Sequence, residues 1–558
     1  MVTGFRSRLG LLTVATVLGA ACGTDTPTDT NPNPPAGVTV TATSAVAARV
    51  AFTAVAGASG YVVERAEGAT GGTFAQVGTP TAPPFDDAGL TPTTTYRYRV
   101  TTVSGSKTSA PSAEASVTMP DRALTVINAD ITTSTTWTRD KKYRLTGFIH
   151  VGNGATLTIE PGTIIEGDFN TVGSSLFILR GSKIDAQGTA SAPIVFTSSQ
   201  PVGQRRAGDW GGLVILGNGI INRSAPVILE GTGTNTVTNP AIDYAGGTNN
   251  ADNSGKLKYV RVEFAGFATA PDAELNSFTL AAVGSGTEID YVQSLNGLDD
   301  SFEWFGGAVD AKHLVSYNSG DDHFDISEGY VGRIQFAIAF QQISVVPRAA
   351  AGNVSQDPQG IENDGCNGAN CTAGQNSLPY TIPLIANFTL VGPPAGVNTQ
   401  GSGTIGMMLR RGTGGYYVNG IVSRWARAAV SLRDQTTLDR ITGTDLLLKN
   451  LLLAENGVNF QPQSGATIQG TVDLTANALE AATGTAVSLF TALPAAPTAA
   501  GLDWSPSAAS PARTGGLAAF TGAVATKAGT FITATAYRGA ADPSGPKWWQ
   551  GWTNYAEN

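Results

Sequence analysis

The sequence predicts an all-β chain, a small antiparallel β-sandwich followed by a long parallel β-helix. Three observations predict it. Strand-like runs of four to six residues recur with Gly, Asn and Asp between them, as in "ATLTIEPGTIIEGD" and "GLVILGNGII". No helical periodicity longer than about two turns precedes residue 470. "NGLDDSFEWF", starting at Asn296, returns 22 residues later as "NSGDDHFDIS", starting at Asn318. A recurrence of about 20–25 residues is the signature of a solenoid.

Composition agrees. The 558 residues suffice for two or three domains, and 41% are hydrophobic, so the chain can bury a core. With 68 Gly and only 14% charged residues, the profile suits short strands and turns rather than long salt-bridged helices. The formal net charge of −9, with basic pairs isolated, excludes a nucleic-acid partner, because phosphates are held by basic clusters.

Taken in order, Arg6 and Arg8 precede "LGLLTVATVLGAA", an apolar run that ends at Cys22. Basic residues, an apolar core too short to span a bilayer and small residues before the break read as an export signal over residues 1–21. A Cys directly after the small residues resembles a bacterial lipobox, although Gly19 stands where that family usually has Leu. The resemblance implies lipidation of Cys22, a membrane anchor there and, with Gly23 following, transfer to the outer membrane. Residues 22–36 are Thr- and Pro-rich and read as a flexible tether.

Residues 37–119 alternate with period two and form the sandwich. "GYVVERA" (Gly60–Ala66), "FDDAGLTPTTTYRYRV" (Phe85–Val100) and "SAPSAEASVTM" resemble a fibronectin type III domain, with Leu90 and Tyr96 the most specific pair and Phe52 in place of the usual core Trp. Such modules act as spacers or adhesive units, and this one carries no chemistry.

Residues 122–558 form the β-helix with a C-terminal cap. At an offset of 22, Asp299 meets Asp321, Asp300 meets Asp322, Phe302 meets Phe324 and Glu303 meets Asp325. One coil upstream, the same rhythm places Leu280 under Phe302 and Gly284 under Gly306. "RGSKIDAQGTASAPIVFTS", "GDWGGLVILGNG", the two acidic coils and "YRGAADPSGPKWWQGWTNY" resemble exported bacterial proteins with a right-handed parallel β-helix of the pectin-lyase type, over residues 145–558. Trp548, Trp549, Trp552 and Tyr555 are expected to cover the open last rung, after an Ala-rich segment at 474–500 with a short helix.

Alternation sends Phe302, Trp304, Phe324 and Ile326 to the core, and Asp299, Ser301, Glu303, Asp321, His323 and Asp325 outward. Asp300 and Asp322 fall in the turn before each strand. The expected product is a surface patch of six carboxylates and one His. Stacked carboxylates repel, so their pKa values rise or a cation sits between them.

Three readings stay open. Asp and Asn ladders satisfy backbone groups at solenoid corners. A hard cation, Ca2+ above all, suits Asp299, Glu303, Asp321 and Asp325; no cofactor is fixed by sequence beyond that. A carboxylate pair acts on a glycosidic bond. For the last, "NSGDDHFDI" resembles the Gly-Asp-Asp segment of polygalacturonase-type glycosidases, which makes Asp299, Asp300, Asp321, Asp322 and His323 candidates, with Arg333 of "GRIQ" to hold a uronate. That family's Gly-His-Gly segment is missing, and Gln335 replaces its Lys. A lyase needs a base, and Lys312 is the sole Lys in these two coils.

The loop "SQDPQGIENDGCNGANC" offers a second acidic group, Asp357, Glu362, Asn363 and Asp364, with Cys366 and Cys371 forming a local disulfide. His150 and His313 read as ladder or core residues. The function expected is non-catalytic binding of a polysaccharide or other cell-surface polymer, with polysaccharide cleavage and a purely structural role as the alternatives.

Overall fold

The computed structural model describes residues 31–234, 240–355, 358–397, 404–462 and 470–558. The export signal, Cys22 and Asp357 lie outside the described residues. The chain divides into two compact units, Met1–Asp121 and Arg122–Asn558.

The first unit is a sandwich of two antiparallel sheets. Thr39–Ser44, Ala47–Ala51 and Phe85–Ala88 form one. Ala75–Gly78, Gly60–Glu67, Thr95–Ser104 and Lys107–Thr108 form the other, with Ala115–Thr118 also on Thr95–Ser104. Phe52, Tyr61, Leu90, Tyr96 and Tyr98 fill the space between them.

The second unit is a parallel β-helix. One sheet stacks nine short strands: Phe148–Val151, Ser175–Ile178, Gly212–Leu216, Phe278–Ala281, Phe302–Phe305, Asp325–Ser327, Gln359–Asp364, Ile405–Arg410 and Ala428–Leu432. Apart from two small antiparallel pairs, Ala268–Ala270 with Ala273–Glu274 and Phe490–Ala492 with Asp503–Pro506, the remaining strands form one long sheet that folds at a corner. In the middle coils each strand runs through that corner: Gly255–Glu263, Glu288–Leu295, Asp310–Tyr317, Arg333–Phe340 and Leu384–Val391. In earlier and later coils it is split, as in Thr156–Ile159 with Ile164–Gly167, and Gly415–Val418 with Ile421–Ser423.

The corner residues are Tyr259, Tyr291, His313, Phe336 and Asn387, all at φ between 49° and 63°. Left-handed backbone is uncommon for side chains such as Tyr and Phe, while Asn and His are tolerated better. The four rings offset this by stacking, with centroids 4.4, 4.3 and 5.1 Å apart in order. In the later coils Asn387, Asn419 and Asn450 hold the corner. His313, whose Nδ1 also lies 2.7 Å from Asp290, is thus a ladder residue.

Inside the helix, aromatic side chains repeat in register. Phe278, Phe302 and Phe324 stack at 4.9 and 5.6 Å, and Trp304 is fully buried beside Phe302 and Tyr330. The 22-residue offset holds for Glu303 on Asp325, but one coil upstream the offset is 24: Phe278 pairs with Phe302 and Leu280 with Trp304. The connecting turn is the cause, spanning residues 282–287 there against 306–309 in the next coil.

The end of the stack is closed by the helix Gln435–Thr442, which packs on Leu446–Lys449 with Asp434 as its N-cap, and by Glu480–Ala482, which pairs with Leu452–Ala454. The Ala-rich segment contributes the short helix Ala486–Leu489. Contrary to the expectation from sequence, the tryptophan-rich tail does not cover the last rung. It runs back along the corner ladder. Gln335 donates to the Thr533 carbonyl (2.7 Å), Asn387 to Thr535 Oγ1 (2.8 Å), and Gln293 accepts from Asn554 N (2.7 Å). Trp552 meets Tyr259 and Tyr291 edge-on.

Candidate functional site: an acidic cleft across three rungs

The strands Phe302–Phe305, Asp325–Ser327 and Gln359–Asp364 put Glu303, Asp325 and Glu362 in direct register, because each occupies the same outward position of its rung. The next rung carries Met408 there, which ends the acidic column.

The turn before each strand supplies a different ladder. Asp300 N donates to Asn276 Oδ1 (3.1 Å), Asp322 N to Asp300 Oδ1 (2.8 Å), Gln359 N to Asp322 Oδ1 (2.5 Å), and Ile405 N to Gln359 Oε1 (3.1 Å). One oxygen of Asp300 and one of Asp322 thus satisfy backbone amides at a corner, as in Asx turns. The remaining oxygens stay near their neighbours. Asp299, Asp300 and Asp321 form a triad with carboxylate atoms within 4.8 Å of one another; so do Asp300, Glu303 and Asp325, and Asp322, Asp325 and Glu362. Shared members link the three triads into one row.

This row lines a cleft of about 520 Å3. Its other walls come from loops that leave the coil: Glu230, Asp272 and Glu274 on one side, residues 353–355 on another. Among the described residues lining it, ten carboxylates face a single guanidinium, that of Arg410. Arg410 is already committed, to Asp364 Oδ1 at 2.8 Å and to Glu362. Burial pushes Asp299, Asp300, Glu303, Asp322 and Asp325 well above the usual carboxylate range, with neighbouring carboxylates adding to the effect. For the same reasons Glu230 is raised to about 7 and Glu362 to about 8.

Three expectations from sequence require correction. His323 does not face the patch. The strand begins at Asp325, so alternation does not extend back to residue 323; the imidazole turns inward, its Nδ1 2.5 Å from Ser316 Oγ and its ring edge-on to Trp425. Burial lowers its pKa to about 3, which leaves it neutral. Ser301 turns inward with it and joins Ser316 and Ser319. Arg333 lies away from the cleft, on the long sheet, forked onto Asp310 (Nε–Oδ1 2.9 Å, Nη2–Oδ2 2.5 Å). Residues 359–364 are not a projecting loop but a rung, so Glu362 joins the main acidic row while Asp364 is held by Arg410 and Arg411. Cys366 and Cys371 are disulfide-bonded just beyond it, with Cα atoms 5.9 Å apart. Lys312, the base a lyase would need, sits over Phe531 and does not line the cleft.

Sequence reading missed Glu230, Asp272 and Glu274, which lie outside the 22-residue repeat. For Glu230 the available signal was length: 38 residues separate Gly212–Leu216 from Gly255–Glu263, far more than a coil turn needs, whereas Asp272 and Glu274 lie in the hairpin between Gly255–Glu263 and Phe278–Ala281.

No curated protein matches this chain. Among solved structures, an Fn3-like protein from Clostridium thermocellum is 30% identical over 16% of this chain and 96% of its own, with a TM-score of 0.15. A human fibronectin type III domain is 18% identical over 16% of this chain and 88% of its own, also at 0.15. A chain of titin domains is 25% identical, and this chain spans about a third of its length (32%) at the same score. The sandwich is defined by its own strand pairings. The β-helix is matched more broadly. Residues 129–497 fit the model of the pectate-lyase-like β-helix domain, and that stretch contains the stacked rungs and the acidic cleft; the chain belongs to that family.

Proposed function

We propose that the acidic cleft holds a hard divalent cation, Ca2+ foremost, and that the cation-loaded face binds an acidic polysaccharide without cleaving it. The family is one of polysaccharide-related β-helices, which supports a sugar polymer as the partner. The observation that carries the reading is the row of three carboxylate triads with no ammonium among the described residues lining it. The donor set is oxygen only, as Ca2+ prefers. Asp325 Oδ1 is buried and has no hydrogen-bond partner, so one donor is already turned inward with nothing to satisfy it. Ca2+ supplies positive charge at the row and coordination for a uronate carboxylate. The chain's own residues position it: backbone amides fix Asp300 and Asp322, and Arg410 restrains Glu362.

A second reading, hydrolysis, is favoured by one specific feature. Glu230 and Glu362, raised to about 7 and 8, keep a proton near neutral pH and can donate it to a glycosidic oxygen. The non-catalytic reading is preferred because Arg410, the one cation among the described residues lining the cleft, is doubly paired and the acids repel a polyuronate unless neutralised.

Export and anchoring through Cys22 belong to the proposal and accord with the disulfide at Cys366–Cys371, a bond of oxidising compartments. Calorimetric titration of the full chain with CaCl2, followed by retention on immobilised polygalacturonate with and without EGTA, tests the reading. Saturable Ca2+ binding with EGTA-sensitive retention and no reducing ends released is the expected result. Release of reducing ends makes the site catalytic; neither binding nor release overturns both readings.

A further inference from the structure

A second cavity, of about 610 Å3, opens where the tail helix Gly522–Ala528 lies against the start of the long-sheet strands, and it shares no lining residue with the acidic cleft. Its walls are mostly apolar: Ala308, Val331, Ile382, Tyr416 and Ala523. Three charged side chains reach it: Asp310, Arg333 and Lys527. Arg333 grips both oxygens of Asp310 and also donates to the Ala528 carbonyl at 3.0 Å. Lys527 donates to the Val331 carbonyl, forms no ion pair among the described residues, and the carboxylate that acts on it, Asp310, is already forked by Arg333.

A half-buried ammonium without a counter-charge is costly, and buried charges are as a rule paired. Here it faces a roomy apolar cavity. We propose that this cavity binds an organic monoanion, a carboxylate with an apolar body, whose charge pairs with Lys527 and whose body lies against Ile382, Tyr416 and Val331. Two cations against one carboxylate leave the cavity with one positive charge to match. The lowering of the Lys527 pKa to about 8 by burial agrees with the desolvation that such a ligand relieves. Because the tail supplies one wall, ligand binding also pins the tail to the coil.

The test uses the full chain and two probes of nearly equal shape, benzoate and benzamide. Titration calorimetry is expected to give saturable binding of benzoate and at least tenfold weaker binding of benzamide. Benzoate is further expected to protect Lys527 from acylation by an amine-selective reagent, read by peptide mass spectrometry. Lys527→Met, which keeps the aliphatic stem, should abolish benzoate binding, and Lys527→Arg should retain it. Equal binding of the two probes, failure of benzoate to bind, or lysine labelling at the same rate with and without benzoate overturns the proposal. If Lys527→Met proves unfolded, the labelling result on the unaltered chain decides it.

Discussion

Glu362 gives the sharpest prediction, because its raised pKa ties the acidic cleft to stability. Burial and Asp364 lift it from 4.5 to about 8, while Arg410 opposes the rise. A carboxyl whose folded pKa lies above its unfolded value binds more protons when folded. Its stabilisation is full below the unfolded value and is lost as pH rises toward the folded one. The window here is about pH 4.5 to 8. At about 1.4 kcal/mol per pH unit, Glu362 alone removes roughly 4 kcal/mol between about pH 5 and about pH 8 in the absence of a divalent cation.

Urea denaturation in EDTA at those two pH values, followed by tryptophan fluorescence, measures it. The unaltered chain should lose stability on going to the higher pH, and Glu362→Gln should lose several kcal/mol less. Ca2+ at about a hundred times its dissociation constant should restore about 2.7 kcal/mol at the higher pH and little at the lower, where the ligands are protonated. Stability that is flat or rises with pH in EDTA, or a Glu362→Gln variant with an unchanged slope, refutes the reasoning.

Three further outcomes are expected. Trp304→Ala empties a fully buried site between Phe302 and Tyr330 and should cost about 3–5 kcal/mol, read by the same denaturation. Gly307→Ala sets a Cβ 2.4 Å from the Val283 carbonyl at φ 76°, so soluble yield and thermal midpoint should both fall; an unchanged midpoint contradicts the coil register drawn here. Replacing Cys366 and Cys371 with Ser opens a loop with a sequence separation of only 5, so the loss should be about 2 kcal/mol and Ca2+ affinity should change little, because neither Cys lines the cleft.

What the sequence made legible follows from where coil length is constant. Phe302 follows Leu295 by seven residues and Phe324 follows Tyr317 by seven, so the 22-residue offset gave the true pairing of Glu303 with Asp325 and the inward Phe302 and Phe324. Where turns differ, the same reasoning slipped by two residues at Leu280. Between Asp325 and Glu362 the offset is 37, and the insertion hid a rung inside what reads as a loop. Alternation also failed at His323 and Ser301, since it holds only within a strand and both precede one. One oxygen each of Asp300 and Asp322 serves a backbone amide, as in the corner ladders the repeat suggests. Composition could not reveal that Glu230 and Glu274 turn an acidic patch into a cleft, because that depends on loops folding back over the rungs.

The central claim is that the carboxylate row binds sugar polymers through a cation and does not cut them. Retention of the full chain on immobilised polygalacturonate, with Ca2+ or EGTA, compared with a chain carrying Asp325→Asn and Glu303→Gln, tests it most directly. Retention that needs Ca2+, is lost in the variant and releases no reducing ends is the predicted result; retention equal in EGTA and in the variant would contradict it.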